Sequence, residues 1–232
     1  MAHSIKKAVF NLIEKALIDE GEVLEVRHWE PAAMVALVLH LPRVDMTKWK
    51  SIPRIKCKVG EFEYRDYSPA TWNAEKKHCT VLIETGHNGF GSRWAQQLRV
   101  GDTIQFSPAS TASLPSPEGN VLGLGDGSAL GHFMALKQLI SSTRQPLDVF
   151  VYLSEVYTLP TSLVAEQGGF HFMMRKDADA AALLLNSIQG KDLTNYSAVY
   201  IAGHIPMVQK VRKALKAVPG FRAKVFANGF WS

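Results

Sequence analysis

The sequence predicts a two-domain protein: an N-terminal antiparallel β-barrel over residues 21–112, then a C-terminal α/β domain with a mainly parallel sheet over residues 113–232. Three observations carry this expectation. Short β-rich runs (EVLEVRHWE, MVALVLHLP, RIKCKVGEFEYRDYS, HCTVLIETG) follow one another, broken by Pro, Gly and Asn, as in a small antiparallel barrel. Beyond residue 120, strand-like and helix-like runs alternate, the pattern of βαβ units and a nucleotide-type sheet. Between the two regimes TASLPSPEGN, Thr111–Asn120, is rich in Ser, Pro and Gly and reads as the linker.

The elements follow in order. Residues 1–20 are expected to carry a helix, because Ile5, Val9, Leu12, Ile13 and Leu17 share one face at helical spacing. That face suits packing on the barrel or docking to a partner. In the barrel half, the glycine-rich turn GHNGFGS leads into a short helix, RWAQQLR, with Ser92 placed as its N-cap. VGD then turns into the strand TIQFSPA. In the second half NVLGLGD, LDVFVYLSE, FHFMMRK, AVYIAG and AKVFANGFW are expected as strands. SALGHFMALKQLI, DADAAALLLNSIQ and PMVQKVRKALKAV are expected as helices.

Composition narrows the function classes. The chain is 47% hydrophobic, an ordinary globular value. No apolar run approaches the length that spans a bilayer. The start, MAHSIKKAVFNLIEKALIDE, lacks a signal-peptide apolar block. A cytoplasmic protein with no membrane partner is expected. The formal charge of +5 favours anionic partners. The cations are scattered without a stripe of interleaved aromatics, so nucleic acid is not expected. Cys57 and Cys79 match neither CxxC nor a zinc spacing, and both sit in strand-like runs. They read as buried free thiols, and no metal site is expected.

Four stretches carry chemistry. LGLGDGSALG, Leu122–Gly131, runs from a buried strand through a glycine-rich turn into a helix, a place where backbone can approach a phosphate. The spacing of Gly123, Gly125, Gly127 and Gly131 departs from GxGxxG, so a tight βα turn explains it equally well. AGHIPM, starting at Ala202, is a second strand-to-helix junction with Gly203 at the strand end and Pro206 in the first helical turn. Both junctions belong to the edge of an α/β sheet where ligands bind, and Asp126 and His204 could sit there too, though a solvated loop histidine is the plainer reading of His204. GHNGFGSRW, Gly86–Trp94, is a third such turn. YRDYSPATW, Tyr64–Trp72, puts Arg65 and Tyr67 on one face of a strand. Arg suits a phosphate, Tyr offers a flat face with a polar tip, and Ser68 adds a short donor and acceptor. A surface Arg beside a half-buried Tyr is the plainer alternative.

The order of these pieces resembles the ferredoxin–NADP reductase superfamily, and within it the siderophore-interacting branch of FAD-dependent ferric reductases. R-x-Y-S, a glycine-rich turn with Ser, G-x-G-D, A-G-x-x-P-M and the terminal Gly-Phe-Trp follow one another in the family's order, over roughly Glu22 to Trp231. The resemblance implies FAD as cofactor and NADH or NADPH as electron donor. It implies that Arg65 binds the FAD pyrophosphate and that Tyr67 packs on the flavin. Ser68 would reach the flavin's reactive nitrogen. Gly89, Gly91 and Ser92 would hold FAD phosphate with Trp94 packed nearby. Gly125, Asp126 and Ser128 would line the nicotinamide-nucleotide side with Gly203 opposite. Phe230 and Trp231 match the C-terminal aromatic pair expected close to the flavin. Catalytic side chains beyond the flavin are not implied. The sequence departs from the branch at Ala70, where an arginine is usual, and at Gly127-Ser128, where an acidic residue and Thr are usual.

The expected function is an FAD-dependent NAD(P)H oxidoreductase that reduces a ferric chelate such as a siderophore. Glu155 at a strand end suits NADH, while Arg175 and Lys176 suit the 2′-phosphate of NADPH. The alternative is a non-catalytic flavin-binding sensor, or an electron-transfer subunit that docks to an electron-donor protein. A third reading keeps the folds, drops the cofactors and leaves an interaction module.

Overall fold

The computed structural model describes residues 18–31, 33–116, 118–161, 163 and 168–232; the expected N-terminal helix lies outside them. The first layer is built by side chains that alternate at period two. In β1 (Asp19–Trp29), β2 (Met34–His40) and β3 (Ile52–Gly60), the inward residues are Val23, then Val35, Leu37 and Leu39, then Ile55, Cys57 and Val59. Strands β4 (Glu63–Tyr67) and β5 (Pro69–Asn73) come next. β6 (His78–Glu84) and β7 (Thr103–Ala112) add Cys79, Val81, Ile83 and Phe106 to the same core. Helix α1 (Phe90–Gln97) lies between β6 and β7 and adds Ala95. Cys57 and Cys79 are free and buried, as expected.

These seven strands form one antiparallel sheet of order β4-β3-β7-β1-β2-β6-β5. The sheet curls into a half-barrel rather than a closed one. β4 and β5 follow each other in the chain with Ser68 between them, yet stand at opposite edges. Pro69 has no N–H to continue the ladder from β4, so the chain crosses to pair with β6 instead. β1 begins at Asp19, ahead of residue 21 where the barrel is expected to start.

The second layer is a parallel sheet of β8 (Asn120–Asp126), β9 (Leu147–Leu153), β10 (Phe170–Met174), β11 (Tyr196–His204) and β12 (Lys224–Trp231). The order is β10-β9-β8-β11-β12, so the winding reverses between β8 and β11. Helix α2 (Leu130–Ile140) covers one face. Helices α3 (Ala180–Ser187) and α4 (Ile205–Lys216) cover the other, over Leu122, Leu124, Val199 and Ile201. Each strand feeds both faces because successive side chains point opposite ways.

Helix α2 also holds the two layers together. Its Leu130, Phe133 and Leu136 share one core with Val149 and Val151 of the parallel sheet and with Trp29, Met34, Ile52, Ala70 and Leu82 of the barrel. A helix covered on both sides must be apolar nearly all round, as this one is. Ala70 is fully buried in that core. This explains the departure from arginine there, because a guanidinium would lose its water. The Gln138 side chain grips edge strand β5 as well: Trp72 N donates to its Oε1 at 3.2 Å, and its Nε2 donates to Trp72 O at 3.1 Å. An edge strand's unpaired groups are thereby occupied.

The stretch expected as the linker runs from the end of β7 to the start of β8 at Asn120. Thr111 and Ala112 belong to β7, and the following residues are tied down. Tyr200 Oη donates to Ser113 O at 2.7 Å, and Gln145 Nε2 reaches Ser116 O at 2.9 Å and Gly119 O at 2.8 Å. Replacement of Gln138 by Ala leaves an edge-strand N–H and C=O without their partner. The expected cost is about 1–3 kcal/mol, read as a shifted urea midpoint with an unchanged slope.

Candidate functional site

A cleft of about 780 Å³ opens between the half-barrel and the carboxyl edge of the parallel sheet. Its barrel wall is β4 and the start of α1. Arg65 and Tyr67 do project together: a Cβ added to Gly91 would meet Tyr67 Oη at 2.5 Å and Arg65 Cγ at 3.4 Å. Only a glycine lets α1 approach the strand this closely. Behind Tyr67 the Trp94 ring lies almost parallel, with centroids 5.9 Å apart and planes at 13°. Burial pushes the Tyr67 phenol well above its ordinary value, so the ring is neutral. The Arg65 guanidinium donates to Tyr64 O at 2.7 Å and to Glu63 Oε2 at 3.1 Å. That ion pair is exposed and therefore weak, free to exchange for a better anion.

Ser92 is not the N-cap of α1. Gly89 holds that place in extended conformation without a side-chain cap, and Ser92 sits a turn further in, buried. The sequence GFGS invites the error because a Ser is the preferred cap. Here Gly89 starts the helix and faces open space: a Cβ there would touch nothing within 4 Å. The first amides of the helix, at Phe90, Gly91 and Ser92, have no intrahelical acceptor. Backbone donors without an intrahelical acceptor, which could take an anion, thus stand at the start of α1, and Arg65 lines the same cleft.

The opposite wall is the point where the sheet reverses its winding. Asp126 ends β8, and its carboxylate collects three donors. Ser128 N and Ser128 Oγ reach Oδ1 at 3.0 and 2.5 Å, and His204 N reaches Oδ2 at 2.7 Å. Gly203 makes room for this. Its φ is +126°, and a Cβ would lie 2.4 Å from Asp126 Oδ1. Ser128 Oγ then accepts from Trp231 Nε1 at 3.1 Å. The indole is held between two imidazoles, His87 at 4.2 Å and His204 at 4.3 Å between ring centroids. Phe230 lies against His132 at 5.8 Å, with the Arg54 guanidinium 5.7 Å from its ring.

Of the residues expected at the site, Arg65, Tyr67, Ser68, Gly89, Gly91, Ser92, Ser128, Phe230 and Trp231 line this one cleft. Trp94, Gly125, Asp126 and Gly203 stand behind its walls. Trp94 supports Tyr67, Gly125 packs on the Phe133 ring and the Ala202 carbonyl, and Asp126 and Gly203 fix the two turns. His204 is no solvated loop residue: its ring packs on Trp231 and its backbone N–H is taken by Asp126. Sequence reasoning missed Arg54, Glu84, His87 and His132, all of which line the cleft. Glu84 ends β6, and its carboxylate accepts from Ser154 Oγ at 3.2 Å across the domain boundary. His87 Nε2 lies 3.4 Å from Glu84 Oε2, and that contact raises the imidazole's pKa above the usual range.

The chemistry is that of binding. One end offers Arg65 and free amides for phosphate, the middle offers a flat aromatic shelf, and the far end offers the switch-point crevice under Trp231. Among the described residues, no group of three or more His, Cys, Asp or Glu is arranged to hold a metal ion. No described helix is long and apolar enough to cross a membrane.

No protein-family model matches the sequence, and no curated protein matches it either. Solved structures do match the fold. A siderophore-interacting protein from Aeromonas hydrophila superposes with a TM-score of 0.74 at 12% identity, over 93% of this chain and 91% of that one. A siderophore utilization protein from T. fusca gives 0.68 at 19%, over 92% of each chain. The ferredoxin reductase in carbazole 1,9a-dioxygenase gives 0.70 at 18%, over 90% of this chain and 69% of that one, and its FAD apo form gives 0.66. The class is therefore the ferredoxin reductase-like two-domain fold, as the sequence predicts. Siderophore-interacting proteins and ferredoxin reductases are this chain's structural neighbours.

Asp126 supplies a pH test. Burial, with the Glu84 charge added, raises its carboxyl from 3.8 to about 6, against the pull of its donors. The folded protein then holds that proton more tightly than the unfolded chain. Stability from this group is full below the unfolded value and falls as pH rises from about 4 to about 6. Asp126→Asn, neutral throughout, is expected to gain stability relative to the native protein across that window. The gain is on the order of 3 kcal/mol by pH 7, on top of any constant offset. Urea denaturation of both proteins from acid to neutral pH measures it, and a flat difference would contradict the assignment.

Proposed function

We propose that the protein is a flavoenzyme that binds FAD in this cleft, takes electrons from NADH or NADPH, and reduces iron in an anionic chelate such as a siderophore. The observation that carries the reading is the assembly of Arg65, the α1 amides, the Tyr67–Trp94 pair and Trp231 around one cleft. Bound FAD would supply hydride acceptance from the nicotinamide and release of electrons singly to the ferric chelate.

The side chains have distinct tasks. Arg65 leaves Glu63 for the pyrophosphate, which the amides of Phe90–Ser92 also bind. Gly89 leaves those amides open, and Gly91 keeps Tyr67 close against α1. Tyr67 offers its face to the flavin, backed by Trp94, and Ser68 extends a hydroxyl toward the reactive nitrogen. Gly125, Asp126, Ser128 and Gly203 shape the nicotinamide-nucleotide crevice. Trp231 covers it and must leave its histidine pair before a nucleotide enters. Lys176 Nζ lies 3.9 Å from Glu155 Oε1, so an acid for a ribose hydroxyl and a cation for a 2′-phosphate stand side by side. Arg54 and Lys56 on the rim attract an anionic chelate. The iron is cargo, and the chain needs no iron ligand of its own.

The test is spectroscopic. Protein supplied with FAD should show oxidised-flavin bands that bleach within seconds under anaerobic NADH or NADPH and return when a ferric chelate is added. Arg65→Ala should weaken FAD binding about tenfold or more, the loss of a charged hydrogen bond. Protein that takes up no FAD would overturn the proposal. Flavin that neither nucleotide reduces would favour an electron-transfer subunit fed by a protein donor.

A further inference from the structure

His132 is the most anomalous side chain in the cleft. It sits in the first turn of α2, 1% exposed, and neither ring nitrogen has a hydrogen-bond partner. Buried polar groups in native proteins are almost always paired, and an unpaired one costs stability without return unless something else uses it. Its surroundings are aromatic: Phe133 at 5.9 Å, Phe230 at 5.8 Å and Tyr200 at 6.1 Å between centroids. Burial and the nearby Arg54 charge push its pKa down to about 3, so the imidazole is neutral, with one N–H donor and one bare acceptor nitrogen.

The position is specific. The preceding residue, Gly131, presses on the hinge between β4 and β5, where a Cβ would lie 2.8 Å from Ser68 O. Gly131 thus meets Ser68 while the neighbouring His132 ring meets Phe230, and all four residues line the cleft. The two ring nitrogens point apart, so only one of them can meet a ligand edge; the ligand that fits is flat and apolar on its faces, with a carbonyl or a ring N–H on the edge turned to the imidazole. The pyrimidine edge of an isoalloxazine has that pattern. We propose that His132 is a direct hydrogen-bond partner of the flavin ring, reached when the Phe230 side chain yields its place over the imidazole. The inference rests on the flavin reading above and adds a contact that the R-x-Y-S and glycine motifs do not contain. Phe230 is then the lid of this contact, and Arg54, which donates to Asn228 Oδ1 at 3.1 Å, anchors the strand that carries the lid.

A variant separates this role from packing. His132→Phe keeps an aromatic ring and removes both orphan nitrogens. Without FAD it should unfold at the same temperature as the native protein or higher, since an unpaired polar pair has been replaced by apolar surface. With FAD it should bind roughly tenfold more weakly and shift the visible flavin bands, because the ring edge loses its partner. His132→Gln, which keeps a donor and an acceptor, should recover part of the affinity. If His132→Phe binds FAD as tightly as the native protein with the same spectrum, the inference is wrong. It is equally wrong if only NADH or NADPH binding weakens, which would assign His132 to the nicotinamide. If the native protein itself binds no FAD, the flavin reading fails and takes this contact with it.

Discussion

The Asp126 carboxylate is the constraint on which the site depends. It sits almost out of water at the end of β8 and draws three donors from two different βα turns. Without it the turn into α2 and the turn into α4 have no shared anchor. Desolvation and the Glu84 charge oppose ionisation and the donors favour it, and the first two win: the carboxyl is raised even with every donor in place. Gly203 gives up a side chain so that the carboxylate fits. From Asp126 the order passes through the Ser128 hydroxyl to the Trp231 indole. A buried acid that need not touch a ligand thus sets where the C-terminal aromatic residue lies.

The cleft exists because two sheets share a helix. α2 packs on the parallel sheet with one side and on the barrel with the other, in a single apolar core. That arrangement presses the β4–β5 hinge against the first turn of α2 and brings Glu84 of the barrel beside Asp126 of the α/β domain. The barrel contributes the free amides of α1 and the aromatic shelf, while the sheet contributes the switch-point crevice. Neither half alone has a complete site.

Much of this was legible in the sequence. Short β-rich runs broken by Pro, Gly and Asn marked the barrel strands, and the change to alternating strands and helices marked the second domain. The face shared by Arg65 and Tyr67 followed from strand geometry and is confirmed by their common contact with Gly91. What stayed hidden depends on contacts between distant residues. Ser92 looked like a cap, but the helix starts three residues earlier because Gly89 takes the extended conformation. The 111–120 stretch read as a linker, and nothing local told that Tyr200 and Gln145 would anchor it. His132 lay inside an apolar helical run, and no local pattern distinguishes a packed histidine from one aimed into a cleft. Glu84 and Asp126 are far apart in sequence, so their proximity could not be read before the domains were packed.

The central claim is that the two walls of this cleft grip one flavin. A crystal structure grown with FAD tests it directly. The expected result is the ring system against Tyr67, the pyrophosphate at Arg65 and the amides of Phe90–Ser92, and Phe230 displaced from its place in the ligand-free fold. FAD bound elsewhere, with the Arg65–Glu63 pair intact and the cleft unchanged, would contradict it.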